Sequence, residues 1–238
     1  MNRKAKAVLM AGVSAFAGIA VATQAHAAPQ PVNGATVVVE PLKGKVLVKN
    51  TRSGKTHQLR GVEKLRLKGS VVDTRRGRVK LTAKGRAVDG LQIARIWGSR
   101  FRATQSRNSS LVRLRLVHDL SYQGCSRPGS SRLGGVWGGG GKSDSGGEAE
   151  VLWVDARGEF GTSGSAGRFE TGFATSDSAE WFTRDRCYST RYQVQRGEVE
   201  LDHPESSVSI PTLGAGEGAT VTSYPCFPSN RPRCFIRG

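Results

Sequence analysis

The chain has 238 residues, with 36 Lys or Arg against 19 Asp or Glu and a formal net charge of +17 at pH 7. Hydrophobic residues make up 37%, and after residue 30 no apolar stretch approaches the roughly 20 residues that a membrane-spanning helix needs, which excludes such a helix from the body of the chain. No catalytic motif stands out, so charge is the strongest functional signal, and it names a class of partner without specifying a fold.

Residues 1–27 have the three parts of a secretory signal. Arg3, Lys4 and Lys6 form a positive start, Ala7 to Thr23 supplies an apolar stretch of small residues, and Ala25-His26-Ala27 is an A-x-A cleavage pattern. A membrane anchor is the competing reading, disfavoured by the short apolar core and the cleavage pattern behind it. The absence of cysteine near residue 28 disfavours a lipoprotein anchor. Cleavage after Ala27 predicts a secreted or cell-envelope protein of 211 residues with net charge +14, three fewer than the whole chain.

Residues 28–133 form a basic half, with 23 Lys and Arg against 5 Asp and Glu. Short alternating segments bounded by Gly, Pro or Ser predict strands at 36–39, 45–49, 70–73, 78–82, 91–97, 100–104 and 111–117. Residues 134–147, with Gly138 to Gly141 consecutive, predict a flexible linker between halves. The linker ends in Gly-Lys-Ser, but Val136 stands where a phosphate-binding loop requires glycine and no helical pattern follows. Residues 148–225 form a second β-rich half, with strands predicted at 151–154, 168–171, 179–183, 191–195, 198–202 and 219–223. Counted with the linker and the tail at 226–238, residues 134–238 carry 10 Lys and Arg against 14 Asp and Glu. The fold class predicted is all-β, a β-sandwich or β-roll of short antiparallel strands built from two diverged halves.

The four cysteines, Cys125, Cys187, Cys226 and Cys234, all follow the leader, and an even count in an oxidising compartment favours two disulfides. Of three pairings, the short proline-flanked loop from Cys226 to Cys234 favours that bridge closing the C-terminal tail, and therefore Cys125 with Cys187. No C-x-x-C pair or nearby histidine supports a zinc site, and no metal or other cofactor is expected.

Gly69-Ser-Val-Val-Asp-Thr-Arg-Arg-Gly-Arg-Val-Lys-Leu-Thr82, preceded by Gly44-Lys-Val-Leu-Val48, resembles the FecR-like extracellular module. Glu180-Trp-Phe-Thr-Arg-Asp-Arg-Cys187, followed by Val194-Gln-Arg-Gly-Glu-Val199, is similar to the Trp-x-x-x-Asp-x-Cys and closing G-x-V elements of exported FecR-related proteins of actinobacterial type. The matches span roughly residues 44 to 201. That family includes periplasmic transducers that regulate sigma factors in iron uptake. Those carry a membrane helix and an inward-facing N-terminal segment, neither of which this sequence displays, so the resemblance implies the extracellular module without the signalling role.

Cations alternate with aliphatics at Lys64, Arg66 and Lys68, at Arg78 and Lys80, and at Arg113 and Arg115. Period two places each set on one side of its strand, and neighbouring strands would assemble the seven into an anion-binding face. The plainer reading is a solvated surface partly neutralised by the acidic half. Few aromatics accompany the cations, chiefly Trp97 and Phe101, so specific nucleic-acid recognition is not expected. Catalytic candidates are weak: His118-Asp119 and Asp202-His203 are neighbours that point apart along a strand, His57 stands alone, and nothing selects two carboxylates from Asp155, Glu159, Glu170 and Asp185. The sequence therefore predicts a non-enzymatic exported module with a surface interaction or scaffolding role, for which an anionic cell-envelope polymer is the candidate ligand, or, alternatively, an extracellular sensor or signalling module that binds a partner protein.

Overall fold

The computed structural model of the chain describes residues 28–85, 90–117, 150–164, 171–186, 189–202, 212–222 and 234–237. The protein is all-β, as the alternation of its apolar residues predicts. Its strands are β1 (Thr36–Asn50), β2 (Thr56–Gln58), β3 (Glu63–Arg66), β4 (Ser70–Lys84), β5 (Leu91–Trp97), β6 (Arg100–Gln105) and β7 (Val112–Leu116). They continue as β8 (Glu150–Gly164), β9 (Thr171–Asp185), β10 (Ser189–Arg196), β11 (Val199–Asp202), β12 (Thr212–Leu213), β13 (Gly218–Thr222) and β14 (Cys234–Arg237). The leader at 1–27, the linker at 134–147, and Cys125, Cys187 and Cys226 lie outside the described residues, and both expected disulfides with them.

Four strands of 15 residues organise everything else. β1 pairs antiparallel with β4 in one long ribbon, and β8 with β9 in another. β5 lies between the ribbons, bonded to β4 on one side and β8 on the other. β6 pairs with β4 through Val72 and Asp73, then with β7, and β7 runs parallel to β8. The circuit β4-β5-β8-β7-β6 returns to β4 and closes a five-stranded mixed barrel. Outside it, β2 and β3 extend β1, β10 and β11 extend β9, β12 pairs with β11, and β13 and β14 continue from β10.

A closed ring requires β4 and β8 each to serve two walls, and glycine makes both bends. β4 leaves β6 at Asp73 and joins β5 at Arg78. Between these residues Gly77 faces Gly44 of β1, with register shifts on either side of Gly44. Gly44 has φ +69°, and a Cβ there would strike the Arg76 carbonyl; a Cβ on Gly77 would lie 2.8 Å from the carbonyls of both Lys43 and Lys45. β8 leaves β5 at Arg157 and joins β7 at Phe160. Gly158 between them has φ +111° and would place a Cβ 2.8 Å from the Gln92 Cβ. Only glycine fits such conformations and approaches without strain. The sequence reading breaks the chain at Gly44 and Gly77 into separate short strands; the structure carries single strands through both as bulges.

The barrel interior is filled by period-two residues with no exposure, among them Val79, Leu81, Ile96, Leu114, Leu152 and Val154. Beyond β8 the core continues with Trp181, Tyr192, Val194, Leu201 and Leu213. Buried polar side chains within it are hydrogen-bonded to one another. Thr162 Oγ1 accepts a hydrogen bond from Trp181 Nε1 at 2.9 Å and shares another with Thr183 Oγ1 at 2.5 Å. The Thr190 hydroxyl donates to Asp185 at 2.6 Å. Burial, with the neighbouring Asp185 charge, holds the Tyr192 phenol far above its ordinary range, against a lowering hydrogen bond with the Gly164 backbone.

The change of charge sign along the sequence does not divide the molecule into separate bodies, because β8 of the acidic half completes a barrel otherwise built from the basic half. Ion pairs cross this seam, Arg95 to Asp155 at 3.3 Å and Arg100 to Glu150 at 3.1 Å. Part of the positive field is thereby neutralised inside the fold.

Candidate functional site

Register fixes what stands side by side on the outer face of the sheet. Lys43 of β1 is opposite Arg78 of β4, Arg78 opposite Trp97 of β5, Trp97 opposite Trp153 of β8, and Trp153 opposite Phe182 of β9. Directly opposite side chains on one face are close enough to touch, and these do. The Arg78 guanidinium lies 3.9 Å over the Trp97 ring. Trp97 and Trp153 stack with centroids 5.8 Å apart, and Phe182 follows at 4.9 Å, tilted by 54°. Arg184 stands 5.5 Å from the Phe182 ring, with its Nε buried and without a hydrogen-bond partner. Arg184 is itself opposite Arg191 of β10. An aromatic row thus crosses three strands with cations at both ends.

The cationic end on β1 and β4 comes from two matching triplets. Lys43-Gly44-Lys45 and Arg76-Gly77-Arg78 run antiparallel, pairing Lys43 with Arg78 and Lys45 with Arg76 across the glycine pair. The glycines permit the close approach, and all four cationic side chains are exposed. Among the described residues no carboxylate lies within ion-pair distance of these four, of Arg184 or of Arg191. Asp73, the nearest acid along β4, is occupied by Arg75 at 2.6 Å. Partial burial pushes its carboxyl up, but hydrogen bonds from the Arg75 side chain and N–H, with the Arg75 and Arg100 charges, hold it below the usual range.

The next row on the same face is neutralised. Lys80 pairs with Glu40 at 2.7 Å, and Asp155 accepts from Arg95 at 3.3 Å and Arg196 at 2.9 Å. The aromatic row is therefore bordered by compensated charge on one side and uncompensated charge at its ends.

The seven cations singled out from the sequence fall in three places. Arg78 belongs to the row and Lys80 to the neutralised row beside it. Lys64 and Arg66 lie on β3, opposite Val38 and Thr36; because Val38 is also opposite Thr82, Lys64 faces the same side as Lys80, two strands away. Lys68 follows β3, exposed at φ +62°. Arg113 and Arg115 are exposed on β7, between β6 and β8, on a wall of the barrel that does not adjoin β4. Alternation is observed in every set, since Leu65, Val79, Leu81, Val112, Leu114 and Leu116 are buried between the cations, but closure of the barrel separates the sets. The sequence reading missed Lys43, Lys45, Arg76, Arg184 and Arg191. The matched K-G-K and R-G-R triplets were the available signal for the first three.

Of the carboxylates considered for catalysis that are described, Asp155 is on the outer face, Glu159 is exposed on β8, and Asp185 is buried on the inner face. His57 is exposed and bonded to Glu63 at 2.8 Å; His118, His203 and Glu170 lie outside the described residues. Among the described residues no three His, Cys, Asp or Glu side chains gather as a metal site, and no helix is long and apolar enough to cross a membrane. Searches of family models, curated proteins and solved structures find no match to this chain.

Proposed function

We propose that this chain is an exported, non-enzymatic β module of FecR-like type whose outer sheet face binds an anionic polymer of the cell envelope. The observation that carries this reading is the facing of Lys43-Gly44-Lys45 by Arg76-Gly77-Arg78 without a carboxylate partner among the described residues. Like charges directly opposite each other destabilise a sheet, and a polyanion lying over them removes that repulsion. The Arg78 guanidinium lies 3.9 Å over Trp97, and its N–H groups suit bidentate contact with phosphate or carboxylate. Six cations in the row and its ends, each releasing a counterion, give a slope of log K against log salt of about −4 for a flexible polyanion.

The test is retention of the exported chain on an immobilised polyanion at low salt, with elution as salt rises. Replacing Lys43, Lys45, Arg76 and Arg78 by Ala moves elution to lower salt, and by more than replacing Lys64, Arg66, Arg113 and Arg115, which removes the same charge. Equal elution of the wild type and the first variant refutes the reading. A second reading, a sensor that binds a partner protein, rests on Leu91 and Ile93, exposed by 51% and 38% on the same side of β5 as Trp97. A partner captured above about 0.5 M salt, where simple charge attraction is screened, favours it.

A further inference from the structure

The two cationic ends of the aromatic row make different demands on a ligand from those of a single patch. We infer that the ligand is a linear polyanion, with oxyanion groups repeated along its backbone, that lies across the strands and must reach both ends at once. This rests on the proposed binding of an anionic polymer and specifies its geometry and chemistry.

The geometry follows from strand order. From β4 the row passes through β5 and β8 to β9, three inter-strand steps, and from β1 to β10 it takes five. Neighbouring strands are about 4.8 Å apart, so the path along the face is about 14 Å from β4 to β9 and about 24 Å from β1 to β10. The middle carries no charge to hold an anion: Trp97, Trp153 and Phe182 fill it. A small anion therefore occupies one end only. A chain that spans the row engages the second end at high effective concentration and gains affinity without new kinds of contact.

The chemistry follows from the rings. Trp97 contacts the Arg78 guanidinium from β4 and stacks with Trp153 from β8, and Trp153 in turn contacts the tilted Phe182 ring of β9. These contacts compete with stacking of bases or sugar rings, the usual source of sequence-tolerant affinity for single-stranded nucleic acid. Recognition falls to the anionic groups. The cross-strand pair Arg184 and Arg191 offers two planar forks suited to oxyanions at one end, and the four triplet cations serve the other.

The experiment is titration calorimetry of the full chain at low salt with inorganic phosphate, tripolyphosphate and a graded series of inorganic polyphosphates. The expected result is weak binding of the short anions and a rise of at least about tenfold once the chain exceeds roughly 24 Å. That rise disappears in Arg184→Ala/Arg191→Ala and, independently, in Lys43→Ala/Lys45→Ala. It persists in Lys49→Ala/Arg52→Ala, which removes the same charge from exposed positions outside the row. Circular dichroism of each variant verifies that the sheet is retained. A smooth increase with length, or equal loss in the control pair, overturns the two-ended site while leaving polyanion binding intact. Failure of every length to bind at low salt overturns the proposed function itself. Single-stranded DNA that binds tighter than polyphosphate of equal charge, and loses that advantage in Trp153→Ala, overturns the ring-independent chemistry.

Discussion

Thr162→Val is the most informative single change in the core. The substitution keeps shape and β-branching and removes one hydroxyl from a site where Thr162, Thr183 and Trp181 have no exposure. Thr162 Oγ1 is the shared partner: it accepts from Trp181 Nε1 at 2.9 Å and exchanges a hydrogen bond with Thr183 Oγ1 at 2.5 Å. The indole N–H is only a donor, so the valine leaves it and the Thr183 hydroxyl both unpaired in a dry core. Each such group costs about 1–3 kcal/mol, which gives about 2–4 kcal/mol after partial relaxation. Thr183→Val breaks one bond, leaves Thr162 still accepting from the indole, and costs about 1–2 kcal/mol. The assay is urea denaturation of both variants, with equal m-values required so that the midpoint shift reports stability. A Thr162→Val cost equal to or below that of Thr183→Val refutes the assignment of Thr162 as the hub beneath the strand that carries Phe182 and Arg184.

Three further outcomes follow from individual residues. Gly44 and Gly54 share nearly the same φ, +69° and +70°, but a Cβ on Gly54 meets nothing within 4 Å whereas one on Gly44 strikes the Arg76 carbonyl. Gly54→Ala therefore costs about 1–2 kcal/mol from the left-handed backbone alone, and Gly44→Ala about 1–3 kcal/mol more; equal midpoints in chemical denaturation would remove the close approach as its cause. Asp73 has a folded-state pKa below its unfolded value, so its contribution is present above the unfolded pKa, near 4, and is lost as pH falls through the folded value. Asp73→Asn lowers stability at neutral pH and flattens its decline in acid, and an unchanged acid limb in a pH series of melts contradicts this. The Tyr192 phenol is raised, so the folded state keeps it protonated and loses stability as pH rises above the unfolded pKa, near 10. In an alkaline absorbance titration, the step missing in Tyr192→Phe appears only together with unfolding; its appearance in the folded protein refutes the burial.

The charge asymmetry of the sequence survives folding in a narrower form. Lys80, Arg95, Arg100 and Arg196 meet carboxylates of the fold, so a charge total overstates the field available to a ligand. The exposed pairs among these, such as Lys80 with Glu40, contribute little to stability individually. Their consequence here is positional: they neutralise the middle of the outer face and leave the ends of the aromatic row uncompensated.

Alternation by itself determined the fold class and the side of each strand that is buried, because a period of two is a local property of extended chain and needs no knowledge of neighbours. It made Leu65, Val79, Leu81 and Leu114 core and Lys64, Arg78, Lys80 and Arg113 surface before any pairing was known. Strand ends were legible only in part: Gly44 and Gly77 read as breaks, since glycine in a sequence marks a turn and a bulge equally. Their meaning depended on the facing strand, where the Arg76, Lys43 and Lys45 carbonyls occupy the space a side chain would need. The site lay beyond local pattern for the same reason. Lys43, Arg78, Trp97, Trp153 and Phe182 come from five strands and are adjacent only through register. Tertiary structure alone decided which cations stand together, because closing the barrel placed β7 away from β4 and brought β8 of the acidic half against β5 of the basic one.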